Sequence, residues 1–377
     1  MRASALLCLL IVATGGYDRA THNVTFNQDP QRTEKMLYSV IASAPRSQQA
    51  YEAYEWLTHL YFYRGQYRNL ISVMERRWAE FPNKKDRGQE KAAVDGFRAL
   101  PNQILEPSEP SILKHESGSI FIPLSINGGT ASYFFDTGAW ISSISESEAK
   151  RLGLAIRESS GALGNSSGTH VGFRTAVAKE LAVGKIRFKD VSFAVFPDNQ
   201  EPWSTLPPGR RGLLGIPILV GFGVLRWSRA DTVEIGDKPG NFDIRRSNLA
   251  FDNDHLVLKA TVEGKEIRAT LDTGAETTDL YKPFADAFAS LLKEKGKKSS
   301  TEVRGVGHAQ TFESVTMPEL AIGIGGANVL LSPAHVLLQS IGANCCVGNF
   351  GMDLLQQTSA FKIDFGAMTL QIERVTR

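Results

Sequence analysis

The sequence predicts a mainly β protein that consists of two related β-barrel lobes preceded by a small α-helical domain. Two observations lead to this fold class. The spacing of apolar residues changes near residue 105 from a helical period to short alternating runs, which are typical of strands. Beyond that point, one set of landmarks occurs twice, with an offset near 136 residues, as Asp136 and Asp272 illustrate. The second part of the chain is therefore a duplicated β-rich unit.

The composition is that of an ordinary globular protein. The chain has 377 residues, of which 42% are hydrophobic and 22% charged, and its formal net charge is +2. This length suits two or three domains, and these proportions argue against disorder. A balance so close to neutral gives no reason to expect a nucleic-acid partner.

Residues 1–15 have the features of a signal peptide. Arg2 precedes the apolar run Leu6 to Val12, and the small residues Ala13-Thr14-Gly15 follow, as expected before a signal-peptidase site. A retained membrane anchor is the alternative, but the run is far shorter than the roughly 20 residues that span a bilayer. We expect an exported protein, periplasmic or secreted, without stable membrane insertion.

Residues 31–100 predict the helical domain, and the proline-containing residues 101–111 predict a linker. Six positions match the packing residues, turn glycine and terminal proline of one tetratricopeptide helix pair: Tyr54, Leu57, Tyr61, Gly65, Tyr67 and Pro82. Repeats of this kind need neighbours to bury their faces, and only one unit is present. A small cap or prodomain and a groove that binds a protein partner through residues 31–100 both remain open.

The two lobes are predicted at residues 112–250 and 251–377. In each, a strand ends in Asp-Thr-Gly-Ala, at Asp136 and at Asp272, eight residues after a turn glycine. A later apolar-apolar-Gly element follows, predicted as Leu213-Leu214-Gly215 in the first lobe and Cys346-Val347-Gly348 in the second. Cys345 and Cys346 are expected to be buried thiols, because neighbouring cysteines rarely meet disulfide geometry.

Two Asp-Thr-Gly-Ala segments in matching contexts are not a coincidence. A given tetrapeptide occurs by chance once in roughly 10⁵ positions. Together with the apolar-apolar-Gly elements, they resemble the aspartic peptidases, and in particular the retropepsin-like branch. Viral members pair two identical chains, whereas pepsin-like members join two lobes in one chain. This sequence resembles the second arrangement, a bilobal aspartic peptidase built from retropepsin-like lobes.

The resemblance implies that Asp136 and Asp272 are the catalytic pair. They would share one proton and hold a water molecule, because two carboxylates about 3 Å apart cannot both ionise cheaply. Thr137 and Thr273 would form hydrogen bonds across the lobe interface. Their neighbours Gly138 and Gly274 would bring backbone N–H groups to the carboxylates.

A glycine-rich hairpin in each lobe is expected to cover the substrate as a flap. The flap glycines are Gly164 and Gly168 in the first lobe and Gly305 and Gly307 in the second. Alanine follows each Asp-Thr-Gly where many pepsin-like enzymes carry a hydroxyl donor. We therefore expect a raised pKa of the pair and a pH optimum of roughly 5 to 6.5.

The predicted function is that of an aspartic endopeptidase whose substrate is an extended polypeptide. No metal or cofactor is expected, since the pair activates water directly and the histidines show no ligand spacing. Two alternatives remain: an inactive descendant that binds peptides with the same fold, and a helical-repeat scaffold for which the β lobes are only a support.

Overall fold

The computed structural model describes residues 29–84, 94–116, 119–159, 161–164, 170–241, 243, 245–252, 255–305, 308–339, 341 and 345–373. The predicted signal peptide, residues 1–15, lies outside the described residues and stays a prediction. No helix in the described ranges is long and apolar enough to cross a membrane.

Long helices come first along the described chain, and strands predominate after residue 100. The helices are α1 Pro30–Ser43, α2 Gln48–Phe62, α3 Tyr67–Glu80, α4 Glu146–Arg151, α5 Ile216–Phe222, α6 Lys282–Ala287, α7 Ala289–Lys295 and α8 Met352–Leu355. The strands of the first half are β1 Ile104–Leu105, β2 Ser111–Lys114, β3 Phe121–Ile126, β4 Gly129–Phe135, β5 Ser142–Ser145, β6 Ala162–Gly164, β7 His170–Gly172, β8 Arg174–Val183, β9 Ile186–Phe196, β10 Gly212–Leu214, β11 Val224–Ser228 and β12 Thr232–Ile235. Those of the second half are β13 Leu249–Asp252, β14 His255–Val262, β15 Lys265–Leu271, β16 Asp279–Leu280, β17 Lys297–Gly305, β18 His308–Met317, β19 Leu320–Ile324, β20 Ala327–Leu331, β21 Ala334–Leu337, β22 Gly348–Phe350, β23 Ala360–Asp364 and β24 Thr369–Glu373.

The two lobes share a strand plan but differ in closure. In the first lobe, strands run in the order β9-β5-β10-β4-β3-β8, and β8 pairs with β9, so the six strands form a closed barrel. In the second, the corresponding strands lie in an open sheet, β17-β18-β21-β16-β22-β15-β14-β19-β20, among the described residues. The mainly β fold class with preceding helices is confirmed, with one closed barrel and one half-barrel.

A tight hairpin leads into each strand that carries a candidate aspartate. In the first lobe, Asn127 and Gly128 connect β3 to β4 with φ values of 49° and 83°. In the second, Glu263 and Gly264 connect β14 to β15 with 49° and 74°. Two consecutive residues with positive φ match the right-handed twist of the flanking strands. Asn-Gly is a typical dipeptide for this turn and predicts it directly. Glu-Gly is not, so the second turn could be predicted only from its equivalence to the first in the repeat.

A separate five-stranded sheet joins the two halves of the chain. Its order is β2-β12-β11-β23-β24, so three strands come from before residue 250 and two from the C-terminal end. The junction is the antiparallel pair β11–β23, which runs from Val224 opposite Asp364 to Ser228 opposite Ala360. Trp227 on β11 stacks on Phe361 of β23, with ring centroids 5.5 Å apart. The lobes are therefore connected by a continuous backbone ladder.

The helical segment packs on the first lobe rather than standing apart from it. Its three long helices are amphipathic, and Asp29 and Ser47 cap the first two. Their apolar faces form one cluster with a patch of first-lobe residues: Phe134, Ile141, Phe173, Ala194, Phe196, Trp203 and Leu213. The backbones are also in direct contact: a Cβ atom on Gly96 of the helical segment would lie only 2.7 Å from the Cα of Gly161 in the first lobe. The helices thus complete the core of this side of the lobe.

Residues 101–111, predicted as a linker, contain β1 and the first residue of β2. Asn102 accepts hydrogen bonds at its side chain from the first backbone N–H groups of α3. The neighbouring Gln103 is buried; its backbone N–H donates to Gly65 O and its side chain to Pro217 O, at 2.9 and 3.0 Å. This stretch therefore bonds the helical segment to the first lobe.

Candidate active site

The two aspartates lie at equivalent strand ends. Asp136 follows β4 and Asp272 follows β15, and each strand pairs in parallel with a short strand from the end of its lobe, β10 or β22. The backbone N–H of Asp136 donates to Leu214 O at 2.9 Å, and that of Asp272 to Phe350 O at 3.0 Å. Both carboxylates are therefore presented from paired backbone rather than from free loops.

Thr137 and Thr273 take part in four hydrogen bonds across the lobe boundary. Thr137 Oγ1 donates to Leu271 O at 2.7 Å and accepts from Thr273 N at 3.0 Å. Reciprocally, Thr273 Oγ1 donates to Phe135 O at 2.8 Å and accepts from Thr137 N at 3.0 Å. Both threonines are completely buried. The bonds across the interface that the sequence predicts are present, and they fix the two aspartate loops to one another.

Substituting Thr137 by valine tests this connection. Valine has nearly the same shape but leaves the Leu271 carbonyl without its donor and the Thr273 N–H without its acceptor. Since unsatisfied buried groups cost about 1–3 kcal/mol each, we expect a loss of about 2–4 kcal/mol in the free energy of unfolding. Urea denaturation measures this loss. Thr137→Ser, which keeps the hydroxyl, should lose much less; equal losses for both variants would contradict the account.

The glycines of the two loops allow the carboxylates to meet. Gly138 N donates to Asp136 Oδ1 at 2.8 Å, and Gly274 N donates to Asp272 Oδ1 at 3.0 Å. A Cβ atom on Gly138 would lie 2.7 Å from Asp272 Cγ, and one on Gly274 would come even closer to the carboxylate of Asp136. Each glycine therefore lies against the carboxylate of the opposite loop.

The electrostatics of this arrangement favour one shared proton. Burial raises the pKa of Asp136 well above its ordinary value, and the negative charge of Asp272 and a hydrogen bond to it raise that pKa further. The N–H of Gly138 acts in the opposite direction but does not offset these effects. These effects favour the protonated form of Asp136.

The structure corrects the second copy of the apolar-apolar-Gly element. The residue equivalent to Gly215 is Gly351, not Gly348. Gly215 N donates to Ser142 Oγ and Gly351 N to Thr278 Oγ1, and each glycine lies against the backbone that follows the aspartate loop. Both glycines follow their aspartate by 79 residues. The alignment on Cys346-Val347-Gly348 was wrong because it matched residue type, Val-Gly to Leu-Gly, without this spacing.

With the corrected alignment, Asn349 occupies the position of Leu213. Its Nδ2 donates to Asp272 Oδ2 at 3.1 Å, while its Oδ1 accepts from Thr270 Oγ1. Sequence reasoning missed this residue. The equal spacing of 79 residues would have revealed it, since Asn349 precedes Gly351 by two residues, as Leu213 precedes Gly215.

The flap glycines are only partly described. Gly164 is the last residue of β6, which forms a small hairpin with β7, and Gly305 is the last residue of β17, which pairs with β18. Gly168 and Gly307 lie outside the described residues. A hairpin is therefore present at each predicted flap, and the flap function stays a prediction.

Trp140, one residue past the first Asp-Thr-Gly-Ala, contacts the helical segment. Its ring stacks on Phe62 at the end of α2, with centroids 5.6 Å apart, and lies 5.2 Å from Tyr63. Tyr63 in turn stacks on Phe251 of the second half at 4.3 Å. The helical segment therefore packs directly behind the loop that carries Asp136.

The prediction of two buried thiols at Cys345 and Cys346 was wrong. The structure joins them in a disulfide between sequence neighbours, with Cys346 buried and Cys345 exposed. They precede Gly348 at the start of β22, outside the aspartate loops.

Asp279 is a third carboxyl group beside the site, and the sequence did not predict its burial there. It lies on β16, directly opposite Asn349 of β22, and is 7% exposed. Among the described residues, its Oδ1 has no hydrogen-bond partner. Burial raises the pKa of Asp279 from 3.8 to about 7, and the negative charge of Asp353 adds to this effect.

Asp279 should make stability fall with rising pH. Below pH 4 it is protonated in both states, so it has no effect. Between pH 4 and 7 the unfolded chain loses this proton while the native protein keeps it, so the native state becomes less stable; above pH 7 the full cost remains. At about 1.4 kcal/mol per pKa unit, the shift of about three units corresponds to a cost on the order of 4 kcal/mol.

Asp279→Asn is therefore expected to raise the melting temperature at pH 8 and to leave it nearly unchanged at pH 4. Thermal unfolding followed by circular dichroism at both pH values measures this. The control is Asp286→Asn, which removes an exposed carboxylate. A gain that is equal at the two pH values would show that Asp279 does not titrate as described.

No group of three or more His, Cys, Asp or Glu side chains is arranged to hold a metal ion in the described ranges. The chemistry that this site offers is that of two opposed carboxyl groups with one proton between them.

Comparisons with known proteins find two similarities. Residues 122–218 match the family model for aspartyl proteases. Among solved structures, a retropepsin-like aspartic protease from Rickettsia conorii matches at 18% sequence identity with a TM-score of 0.25, covering 34% of this chain and 94% of that chain. No curated protein matches the sequence. The matched segment contains Asp136, Gly138 and Gly215, and the predicted resemblance to the aspartic peptidases is confirmed for residues 122–218.

Proposed function

We propose that the protein is an aspartic endopeptidase that hydrolyses peptide bonds in extended polypeptides with water activated between Asp136 and Asp272. The observation that carries this proposal is the reciprocal bonding of the two Asp-Thr-Gly-Ala loops. Hydrogen bonds of Thr137 and Thr273 hold the two loops together. The Cα of each loop glycine lies so close to the carboxylate of the opposite loop that a side chain would not fit between them.

The chemistry follows from one proton shared by two carboxyl groups. The ionised carboxylate takes a proton from water while the hydroxide adds to the scissile carbonyl carbon, and the protonated carboxyl donates to the carbonyl oxygen. The resulting gem-diol collapses when one of its hydroxyl protons returns to the dyad and the dyad protonates the leaving nitrogen. The C–N bond breaks, and the dyad again holds one proton.

The proposal is tested with purified mature protein and an unfolded polypeptide substrate across pH 3 to 8. Products are identified by mass spectrometry. We expect cleavage with a mildly acidic optimum, and none with Asp136→Asn. A control variant, Asp286→Asn, should cleave as the wild type does, since Asp286 is exposed and pairs with Lys282. If the folded wild type binds an extended peptide but does not cleave it, the proposed endopeptidase activity is overturned and a peptide-binding module is favoured.

Export is part of the same proposal, and its support is the sequence of residues 1–15. N-terminal sequencing of the protein recovered from cell fractions tests it. A mature chain that begins shortly after Gly15 outside the cytoplasm is expected; an intact Met1 in the cytoplasm would contradict export.

A further inference from the structure

The two aspartate loops are nearly symmetric in backbone and asymmetric in one side chain. Each loop donates backbone N–H groups to its own carboxylate, from Gly138 to Asp136 and from Gly274 and Ala275 to Asp272. Within the described part of the chain, Asp272 also receives a side-chain donor, Asn349 Nδ2, at 3.1 Å from Oδ2. The symmetric position in the first lobe is Leu213.

The orientation of the Asn349 amide follows from its two contacts together. Its Oδ1 accepts from the hydroxyl of Thr270, which lies beside it on β15. An amide has an oxygen that only accepts and a nitrogen that only donates. Because an ionised carboxylate only accepts, the nitrogen must face Asp272, and the oxygen then accepts from the Thr270 hydroxyl. Donation to an ionised carboxylate is about twice as strong as donation to a neutral group, so this contact favours the charged form of Asp272.

The first lobe offers no such donor at the same place. Leu213 pairs with Phe134 as Asn349 pairs with Thr270, and both first-lobe residues are buried in the cluster formed with the helical segment. An amide there would be buried among apolar groups. Packing against the helical segment thus explains why the first lobe has the apolar Leu213 at this position, whereas the second lobe has the polar Asn349.

Three ionisable groups near Asp272 are shifted towards their neutral forms, so they place little negative charge beside it at mildly acidic pH. Asp136 faces it from the first lobe and has a raised pKa. Asp279 on β16 also has a raised pKa and carries no charge well below pH 7. Tyr281, close enough to interact with both carboxylates of the second lobe, stays neutral because burial raises its pKa. His335 on β21 lies opposite Asp279 in the parallel β16–β21 ladder, and its ring forms a hydrogen bond with the hydroxyl of Thr316.

We propose that Asn349 is a positioning residue that makes Asp272 the ionised member of the pair, so that Asp272 is the general base and Asp136 the general acid. This inference rests on the proposed function. It assigns the individual steps: Asp272 takes the proton of the attacking water and passes it to the leaving nitrogen. Asp136 donates to the carbonyl oxygen and recovers its proton when the gem-diol collapses.

The test compares pH profiles of kcat/KM for the wild type, Asn349→Leu and Asn349→Asp. Leucine reproduces the first-lobe residue and removes the donor. We expect the pKa of the acidic limb to rise by about one unit, with an approximately tenfold loss of kcat/KM below that limb and a smaller loss above it. Asn349→Asp adds a negative charge beside Asp272 and should raise the pKa of the acidic limb by at least as much. The matched control is Asn328→Leu on β20, an exposed asparagine, which should leave the profile unchanged.

An acidic limb that does not move in a folded Asn349→Leu variant would overturn the proposal, since a merely structural role lowers activity evenly across pH. Should Asn349→Leu fail to fold, Thr270→Val provides a second variant. It releases the amide oxygen of Asn349 without changing Asn349, and a smaller shift in the same direction is expected.

A readout without activity separates this inference from the proposed function. Carboxyl ¹³C NMR titration of the wild type should show Asp272 losing its proton at lower pH than Asp136, and Asn349→Leu should reduce this difference. Ionisation of Asp136 before Asp272 would overturn the inference even in an active peptidase. If the folded wild type shows the expected order of ionisation but cleaves no substrate, the inference about Asp272 and Asp136 stands and the proposed peptidase activity is overturned.

Discussion

Gly274→Ala is expected to reduce peptide cleavage by at least about 100-fold while leaving the protein folded. Gly274 lies against the carboxylate of Asp136, and an added Cβ would overlap it. The backbone at Gly274 is not in the left-handed region, so alanine is not strained there by itself. The methyl group must therefore displace Asp136 or separate the two loops. Because a displacement of about 1 Å in a catalytic group costs on the order of 100-fold in rate, we expect a loss of kcat/KM of at least that size.

The measurement is kcat/KM on a peptide substrate together with the urea midpoint of each variant. Gly326→Ala in the turn between β19 and β20 is the control, since a Cβ there would meet no atom within 4 Å; its φ of 85° should lower the urea midpoint but leave kcat/KM unchanged. A Gly274→Ala enzyme with more than a tenth of wild-type activity would show that the carboxylates are not held in contact as described.

Removal of the helical segment is expected to have the largest effect on stability. A chain that begins at Pro101 would expose the apolar patch of the first lobe that the helices cover, which includes Phe134, Phe173, Trp203 and Leu213. Exposed apolar surface costs about 25 cal/mol per Å², and several large side chains are uncovered at once. We therefore expect the truncated chain to aggregate or to remain unfolded rather than to become a more active enzyme.

A point variant tests the same contact in the full chain. Phe97 stacks on Tyr67 of α3 with centroids 5.2 Å apart and lies 6.0 Å from Phe173 of the lobe. Phe97→Ala should lower the free energy of unfolding by about 3–5 kcal/mol. Ile112→Ala is the control, because Ile112 is 73% exposed. A soluble, folded and fully active chain from Pro101 would instead support a removable prodomain or a separate partner-binding domain.

The sequence predicted those parts of the site that depend on short, repeated segments. The Asp-Thr-Gly-Ala copies predict the opposed loops, since each needs only a strand end, a hydroxyl that bonds across the interface and a glycine. The Asn127-Gly128 turn is equally local. The threonine bonds, the close approach at Gly138 and Gly274, and the mainly β lobes with preceding helices all follow from these patterns together with the resemblance.

Features that depend on contacts between distant segments were not predictable in the same way. Asn349 reaches Asp272 only because β22 pairs with β15, and matching it required the spacing to Gly351 rather than the nearer Val347-Gly348. The open sheet of the second lobe and the packing of Phe62 on Trp140 also depend on tertiary contacts. Asp279 looks like an ordinary polar residue until its burial on β16 is known.

A double-mutant cycle shows whether Asp136 and Asp272 act as one catalytic unit. We would measure kcat/KM for Asp136→Asn, Asp272→Asn and the double variant on one peptide substrate, with folding verified for each. Residues that act as a unit are strongly non-additive, so each single variant should lose at least about 1,000-fold and the double variant little more than either one. Losses that multiply in the double variant, or a single variant that retains substantial activity, would contradict a shared dyad.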